Sequence, residues 1–183
     1  FELLCGGVVK GSIYALIALG YTMVYGIIQL INFAHGEVYM IGAFVAFIVA
    51  GILTLTGYSG LTVLVLAAVV AVIYAAAYGY TLEKIAYRPL RNAPRLSPLI
   101  SAIGASIFLM NYVQLAQTPD FLPFPELVSD FDFMEPISRY LSSVDLVILV
   151  VTTVTMVALT VLIKYTRIGK AMRATQQDMV MAR

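Results

Sequence analysis

The stretch INFAHGEVYM, Ile31 to Met40, separates two strongly apolar runs and places an amide, an imidazole and a carboxylate within six positions. The imidazole belongs to His35, the only histidine of the chain, and Asn32 and Glu37 stand on either side of it. Irregular backbone at membrane depth persists only where protein or water satisfies its polar groups. Gly36 weakens any continuous helix through this stretch. We therefore predict a break between two helices near Asn32.

The predicted break has three possible roles. Asn32 can cap a new helix, and Glu37 in its first turn would meet the positive end of the helix dipole. Broken helices of this kind occur along transport pathways and at hinges. A plain interfacial turn and a proton relay are the alternatives. No metal site is predicted, because the chain has no second histidine and only one cysteine, Cys5.

Outside this stretch the composition is that of an integral membrane protein. Hydrophobic residues make up 61% of the chain and charged residues 11%, and the mean hydropathy is +0.94. Soluble domains are about 45–50% apolar and about 25% charged. A net charge of +1 gives no indication of a nucleic-acid partner.

Five apolar windows are long enough to cross about 30 Å of hydrocarbon as helices. We therefore predict an all-α, polytopic membrane helix bundle. Small residues recur every four positions in the second, third and fourth windows, where they would let helices approach closely. The windows are Gly11–Ile31, Val38–Thr56, Leu61–Leu82, Leu96–Ala116 and Val144–Ile163. Ser142 followed by Asp145 predicts a capping box at the start of the last one.

Charge asymmetry predicts the orientation of these spans. Segments Glu83–Arg95 and Lys164–Arg183 are rich in lysine and arginine, whereas Gln117–Ser143 holds five acidic residues against Arg139 alone. The positive-inside rule makes the two basic segments cytoplasmic and the acidic segment an external loop. Counting back through the spans places the N-terminus outside. Residues 117–143 would form a lid or docking surface over the helix ends, or an ordinary ordered connector.

The chain from Ile168 onward predicts an amphipathic helix at the cytoplasmic surface. Such a helix would lie on anionic lipid or dock in a groove of a partner protein. Its small residues favour the protein groove. The sequence has no phosphate-binding loop, no nucleophile elbow and no paired-histidine motif, so we predict that the chain is not itself an enzyme.

Several blocks of sequence carry a family resemblance. GSIYALIALGYTMVYGIIQLINFAHGEVYMIGAF, EKIAYRPLR, LISAIGASIFLMNYV and TRIGKAMRATQQD closely resemble the permease subunit of bacterial ABC importers for branched-chain amino acids. The resemblance implies a multi-pass subunit of the bacterial inner membrane that transports leucine, isoleucine or valine. It also implies a second permease, two ATPase subunits that bind ATP, and a periplasmic binding protein as partners. The subunit would have no cofactor of its own.

The resemblance also places residues by position. The NFAHGE block matches the family's break between its first two helices. Residues 168–183 match its coupling segment, which continues into further membrane helices, so we expect residues 1–183 to be the N-terminal part of one permease domain. The predicted break residues are Asn32, His35, Gly36 and Glu37. The predicted ATPase-coupling residues are Gly169, Ala171, Arg173, Ala174, Asp178 and Ala182.

Other functions remain open from sequence. Permeases for urea and short amides share the general pattern. An ion-coupled secondary transporter or channel would need acids within the membrane, where Glu37 is the only clear candidate. A purely structural or assembly subunit is a further possibility.

Overall fold

A computed structural model describes residues 2–28, 31–58, 60–90, 93–94, 96–117, 122–125, 127 and 142–177. These residues form six α-helices, a π-helical turn and a 3-10 turn. The α-helices are α1 (Glu2–Ile28), α2 (His35–Leu55), α3 (Leu61–Leu82), α4 (Leu96–Ala116), α5 (Ser143–Tyr165) and α6 (Arg167–Gln177). The π-helical turn spans Glu83–Tyr87 and the 3-10 turn spans Arg88–Leu90.

Helices α1 to α5 are each long and apolar enough to cross a membrane, and they are the five such helices among the described residues. The predicted all-α, multi-pass architecture is therefore confirmed. The predicted start of the first span was wrong, because α1 begins at Glu2 rather than Gly11. The prediction stopped short of Lys10 to exclude a charge. Lysine is a good helix former and is exposed here, so the helix continues through it.

The chain divides into two compact units, one of Phe1–Leu30 with Ser129–Arg183 and one of Ile31–Val128. In the second unit, α2 and α3 are joined by a short turn in which Gly57 (φ 88°) and Gly60 (φ 70°) adopt a backbone conformation that favours glycine. The two helices pack through small residues. A Cβ placed on Gly42 would lie 3.6 Å from the Cβ of Ala75. The predicted small-residue contact is thus present between these helices.

The hydrophobic core of this unit consists of two clusters along α2. One buries Ala34 and Ile41 against Leu109 and Val113 of α4. The other buries Ala50 against Val63 and Ala67 of α3, together with Leu127 from beyond α4. Helix α4 therefore covers the first half of α2, and a different segment covers the rest.

That segment is the described part of the predicted external loop. Leu127 is 7% exposed, and the ring of Phe124 meets Phe47 edge to face at 6.4 Å. At 1.5 Å per residue, Ala50 and Ala67 lie about 8 and 9 Å inside the ends of their helices. The side chains of Phe124 and Leu127 therefore lie beside the helices, further in than a lid over their ends. Leu127 is buried there, whereas residues 122–124 are exposed.

The first unit contains α1, α5 and α6, which contact one another. Helix α5 begins with the predicted capping box. The side chain of Ser142 accepts a hydrogen bond from the backbone N–H of Val144 at 3.4 Å, and Asp145 Oδ2 accepts one from the backbone N–H of Ser142 at 3.1 Å. The predicted amphipathic segment forms α6 as far as Gln177, and residues 178–183 lie outside the described residues.

Candidate functional site

The predicted break is present as a non-helical stretch from Ile31 to Ala34 that precedes α2. Asn32 stabilises this stretch through its side-chain oxygen and its backbone carbonyl oxygen. Its Oδ1 accepts a hydrogen bond from the backbone N–H of Ala34 at 3.1 Å, and its carbonyl accepts one from the backbone N–H of His35 at 3.2 Å. The residue at the N-cap position is Ala34, which has no capping side chain. Asn32 therefore shapes the turn before the helix instead of capping the helix directly.

A tyrosine far along the chain also holds the break. The hydroxyl of Tyr87 donates a hydrogen bond to Asn32 Oδ1 at 2.6 Å, and Tyr87 is only 6% exposed. Tyr87 is the last residue of the π-helical turn that follows α3. Ser101 of α4 donates from Oγ to the carbonyl of Ala86 at 3.0 Å, which fixes this turn against α4. The break is thus tied to the ends of two other helices.

Glu37 makes a second link between α2 and α4. Its Oε1 accepts a hydrogen bond from Ser106 Oγ at 2.6 Å. Its Oε2 is buried and has no hydrogen-bond partner among the described residues. Glu37 lies in the first turn of α2, where the helix dipole favours a negative charge. Leaving a buried carboxyl oxygen without a partner costs free energy, and the bond from Ser106 satisfies the other oxygen.

The other two residues predicted at the break have different environments. His35 is the first residue of α2 and is half-buried. Gly36 is exposed, and a Cβ placed there would meet nothing within 4 Å. Helix α2 runs unbroken through Gly36, so the irregular stretch ends before it. Gly36, predicted among the break residues, therefore lies within the first turn of α2.

The break lies at the same end of the second unit as the basic residues after α3. Lys84 and Arg88 belong to the turns that Tyr87 connects to Asn32, and Lys84 Nζ lies 5.9 Å from the ring centre of Tyr80. By the positive-inside rule we expect this end to be cytoplasmic. Helix α2 alone is 21 residues long, about 30 Å, so the break precedes a full span.

The predicted coupling segment is attached to α5 by a tight corner at Thr166. Thr166 Oγ1 accepts a hydrogen bond from the backbone N–H of Gly169 at 3.1 Å and donates one to the carbonyl of Leu162 at 2.5 Å. A Cβ on Gly169 would lie 2.1 Å from the carbonyl oxygen of Ile163. No real Cβ approaches backbone so closely. Only glycine therefore fits at this position.

The remaining predicted coupling residues divide into three groups. Arg173 donates from Nη2 to the carbonyl of Lys164 at 3.2 Å, so it satisfies an acceptor at the end of α5. Ala171 and Ala174 are exposed on the surface of α6. Asp178 and Ala182 lie outside the described residues.

Three side chains of this arrangement were not predicted from sequence, namely Tyr87, Ser101 and Ser106. A hydroxyl in the middle of an apolar span was the available signal for the two serines, since each must find an acceptor there. Tyr87 had no such signal, because tyrosines are frequent throughout this chain.

Comparison with known proteins places the chain in a family. A family model described as the permease component of branched-chain amino acid transport systems matches residues 3–183. The chain belongs to this family. The resemblance found in its sequence blocks is thereby confirmed, and no solved structure matches the chain.

Curated members of the permease family are close in sequence. The high-affinity branched-chain amino acid transport system permease protein LivH of Escherichia coli K12 is 49% identical over 180 residues, 96% of this chain and 58% of LivH. LivH of Salmonella typhimurium shows the same identity and coverage. The corresponding protein BraD of Pseudomonas aeruginosa is 48% identical over 182 residues, 97% of this chain and 59% of BraD. The chain therefore spans less than two thirds of these permeases.

Proposed function

We propose that this chain acts in a permease subunit of an ATP-driven ABC importer that carries leucine, isoleucine and valine across the bacterial inner membrane. The observation that carries the proposal is the family match over residues 3–183, with 49% identity to a high-affinity branched-chain amino acid permease. The five span-length helices supply the framework that such a subunit needs. The partners would be a second permease, two ATPase subunits and a periplasmic binding protein.

ATP would be hydrolysed by the partner subunits, since the chain carries no nucleotide-binding motif. The ATPase would move α6, whose exposed Ala171 and Ala174 leave room for a close protein contact. The corner at Thr166 and Gly169 supports this role, because contacts to α5 backbone leave little freedom between the two helices. Motion of α6 would therefore pass directly to α5.

The break residues would serve the opening and closing of the path. The links from Asn32 to Tyr87 and from Glu37 to Ser106 join the start of α2 to neighbouring elements. Alternating access needs such contacts to form in one state and open in the other. His35 would stabilise the break as a hydrogen-bonding side chain.

One observation favours a second candidate, an ion-coupled transporter. The buried Glu37 Oε2 has no partner among the described residues, and intramembrane carboxylates serve proton relays in such transporters. The family match outweighs this observation, because the match covers nearly the whole chain.

The test is purification of the full-length protein from its native membrane in mild detergent, followed by reconstitution with its binding protein. We expect ATPase subunits and a second permease to co-purify, and leucine uptake to require ATP. Uptake that survives ATP removal but collapses when the proton gradient is dissipated would favour the ion-coupled transporter. Uptake of urea without leucine would assign the subunit to the related amide permeases.

A further inference from the structure

A cavity of about 400 Å³ lies in the second unit among α2, α3 and the last turn of α4. Ile41, Val45 and Val70 are among the aliphatic side chains of its wall. Its volume falls within the range of pockets that hold small ligands, about 300–1,000 Å³. The wall therefore offers space and apolar surface for a branched aliphatic group.

The same wall carries three tyrosines, Tyr74, Tyr78 and Tyr112. Tyr78 is half-buried, whereas Tyr74 and Tyr112 are 53% and 47% exposed. Hydroxyl groups at membrane depth are costly beside hydrocarbon tails, which offer them nothing to bond. A lipid acyl chain in this cavity would leave their remaining hydrogen-bonding capacity unused. A ligand with a carboxylate beside an aliphatic group would use it.

The end of α4 supplies a third feature. Ala116 and Gln117 line the cavity, so α4 terminates at its edge, opposite Val45 and Val49 of α2. At 1.5 Å per residue, these two valines lie about 15 and 21 Å from the start of α2, deep within its span. The carbonyl of Val113 accepts a hydrogen bond from the backbone N–H of Gln117 at 2.9 Å, and the carboxyl end of α4 is the negative end of its dipole. This end of α4 therefore favours a cationic group.

We propose that this cavity binds the transported amino acid. The aliphatic side chain lies against the walls of α2 and α3, the ammonium group lies at the carboxyl end of α4, and the carboxylate accepts hydrogen bonds from the tyrosine hydroxyls. The inference rests on the proposed function and adds the residues that contact the substrate. A branched amino acid would match the aliphatic wall, the tyrosine hydroxyls and the carboxyl end of α4 together. A lipid acyl chain would match only the aliphatic wall.

The test exploits two valines of α3 that differ in their surroundings. Val70 lines the cavity, whereas Val72 is 68% exposed and does not line it. Val70→Phe places a ring in the aliphatic part of the cavity, and Val72→Phe adds the same ring elsewhere on the helix. Uptake of leucine, valine and alanine is measured in membranes that hold the full-length permease, its partners and saturating binding protein, each relative to the parent.

We expect Val70→Phe to lower leucine uptake about tenfold, valine uptake less and alanine uptake least, because loss of space for a methylene or two has effects of this size. Val72→Phe should leave all three within about twofold of the parent, as expected for an exposed substitution. An equal fall for all three solutes, or no change, would overturn the cavity assignment and indicate an acyl chain or a packing void. A parent that carries none of the three solutes would overturn the proposed function as well.

A second measurement tests the cavity assignment if the Val70→Phe variant fails to assemble. Val70→Cys and Val72→Cys are made in the full-length permease after removal of its other cysteines, and the rate of modification by a small thiol reagent is followed. Leucine, delivered by the binding protein during turnover, should slow modification of Val70→Cys severalfold and leave Val72→Cys unchanged. Equal rates with and without leucine at both positions would reject the proposal.

Discussion

The junction at Asn32 and the junction at Thr166 each precede a helix, yet the contacts that hold them differ in kind. At Asn32 the contacts are side-chain hydrogen bonds that reach across the fold to Tyr87, and Gly36 beside them has open space. At Thr166 the contacts are local, and Gly169 lies directly against the backbone of α5. The first junction can open by exchanging hydrogen bonds. The second has no free space between Gly169 and the backbone of the helix it follows.

The largest expected effect on stability comes from replacing glycine by alanine, and it should differ between the two junctions. Gly169→Ala should lower the free energy of unfolding by roughly 3 kcal/mol or more, because its Cβ would overlap the Ile163 carbonyl. Gly36→Ala should be neutral or stabilise by about 0.5 kcal/mol, since nothing lies within reach of its Cβ. Thermal unfolding of the full-length protein in detergent measures both. Equal losses at the two glycines would contradict the contrast between the junctions.

A smaller loss of stability is expected when the side-chain hydrogen bond between α2 and α4 is removed. Ser106→Ala removes the hydroxyl that binds Glu37 Oε1 and should cost about 2 kcal/mol, because both oxygens of the carboxyl group would then lack a partner among the described residues. Ser106→Thr keeps the hydroxyl and should recover most of this stability. In the background of Glu37→Gln the same serine substitution should cost less, which a double-mutant cycle would reveal. Fully additive losses would mean that the two side chains do not interact.

Substitution of Tyr87, which bonds to Asn32, should lower stability less. Tyr87→Phe removes one hydrogen bond from Asn32 Oδ1, which still accepts from Ala34, so we expect a loss of about 1 kcal/mol. Tyr80→Phe is the matched control, because Tyr80 is 64% exposed on α3. It should leave stability within about 0.5 kcal/mol of the parent. An unchanged unfolding temperature for Tyr87→Phe would show that the Asn32 turn holds without this bond.

The smallest effect on stability is expected on the outer surface of α6. Ala174 is exposed, so Ala174→Glu should change the free energy of unfolding by less than about 0.5 kcal/mol. Under the proposed coupling role it should nevertheless abolish leucine uptake and the stimulation of ATPase activity, because the new charge would face the ATPase. Ala174→Ser is the conservative control. Normal uptake by the glutamate variant would remove the coupling role of α6 and leave its structural account intact.

Features that depend on neighbours along the chain were predictable. The apolar windows gave the five spans to within a few residues at most ends, and the pair Ser142 and Asp145 gave the capping box. The small residues at Gly42 and Ala75 correctly indicated close helix packing. The start of α1 was missed because one exposed lysine ends an apolar window without ending a helix. The signal for each of these features lies within a single segment of the chain.

Features that depend on distant partners came only from the tertiary structure. Asn32 and Tyr87 are 55 residues apart, and Glu37 and Ser106 are 69 apart. Which hydroxyl meets which acceptor depends on the rotation and the relative shift of whole helices, and no local pattern encodes either. The same shift ends α4 beside the middle of α2 and so creates the tyrosine-lined cavity. The sequence by itself determined where the helices are and which faces are small, since helix formation and span length are local. The tertiary structure decided which polar groups meet, because that requires segments far apart in the chain to pack at one depth.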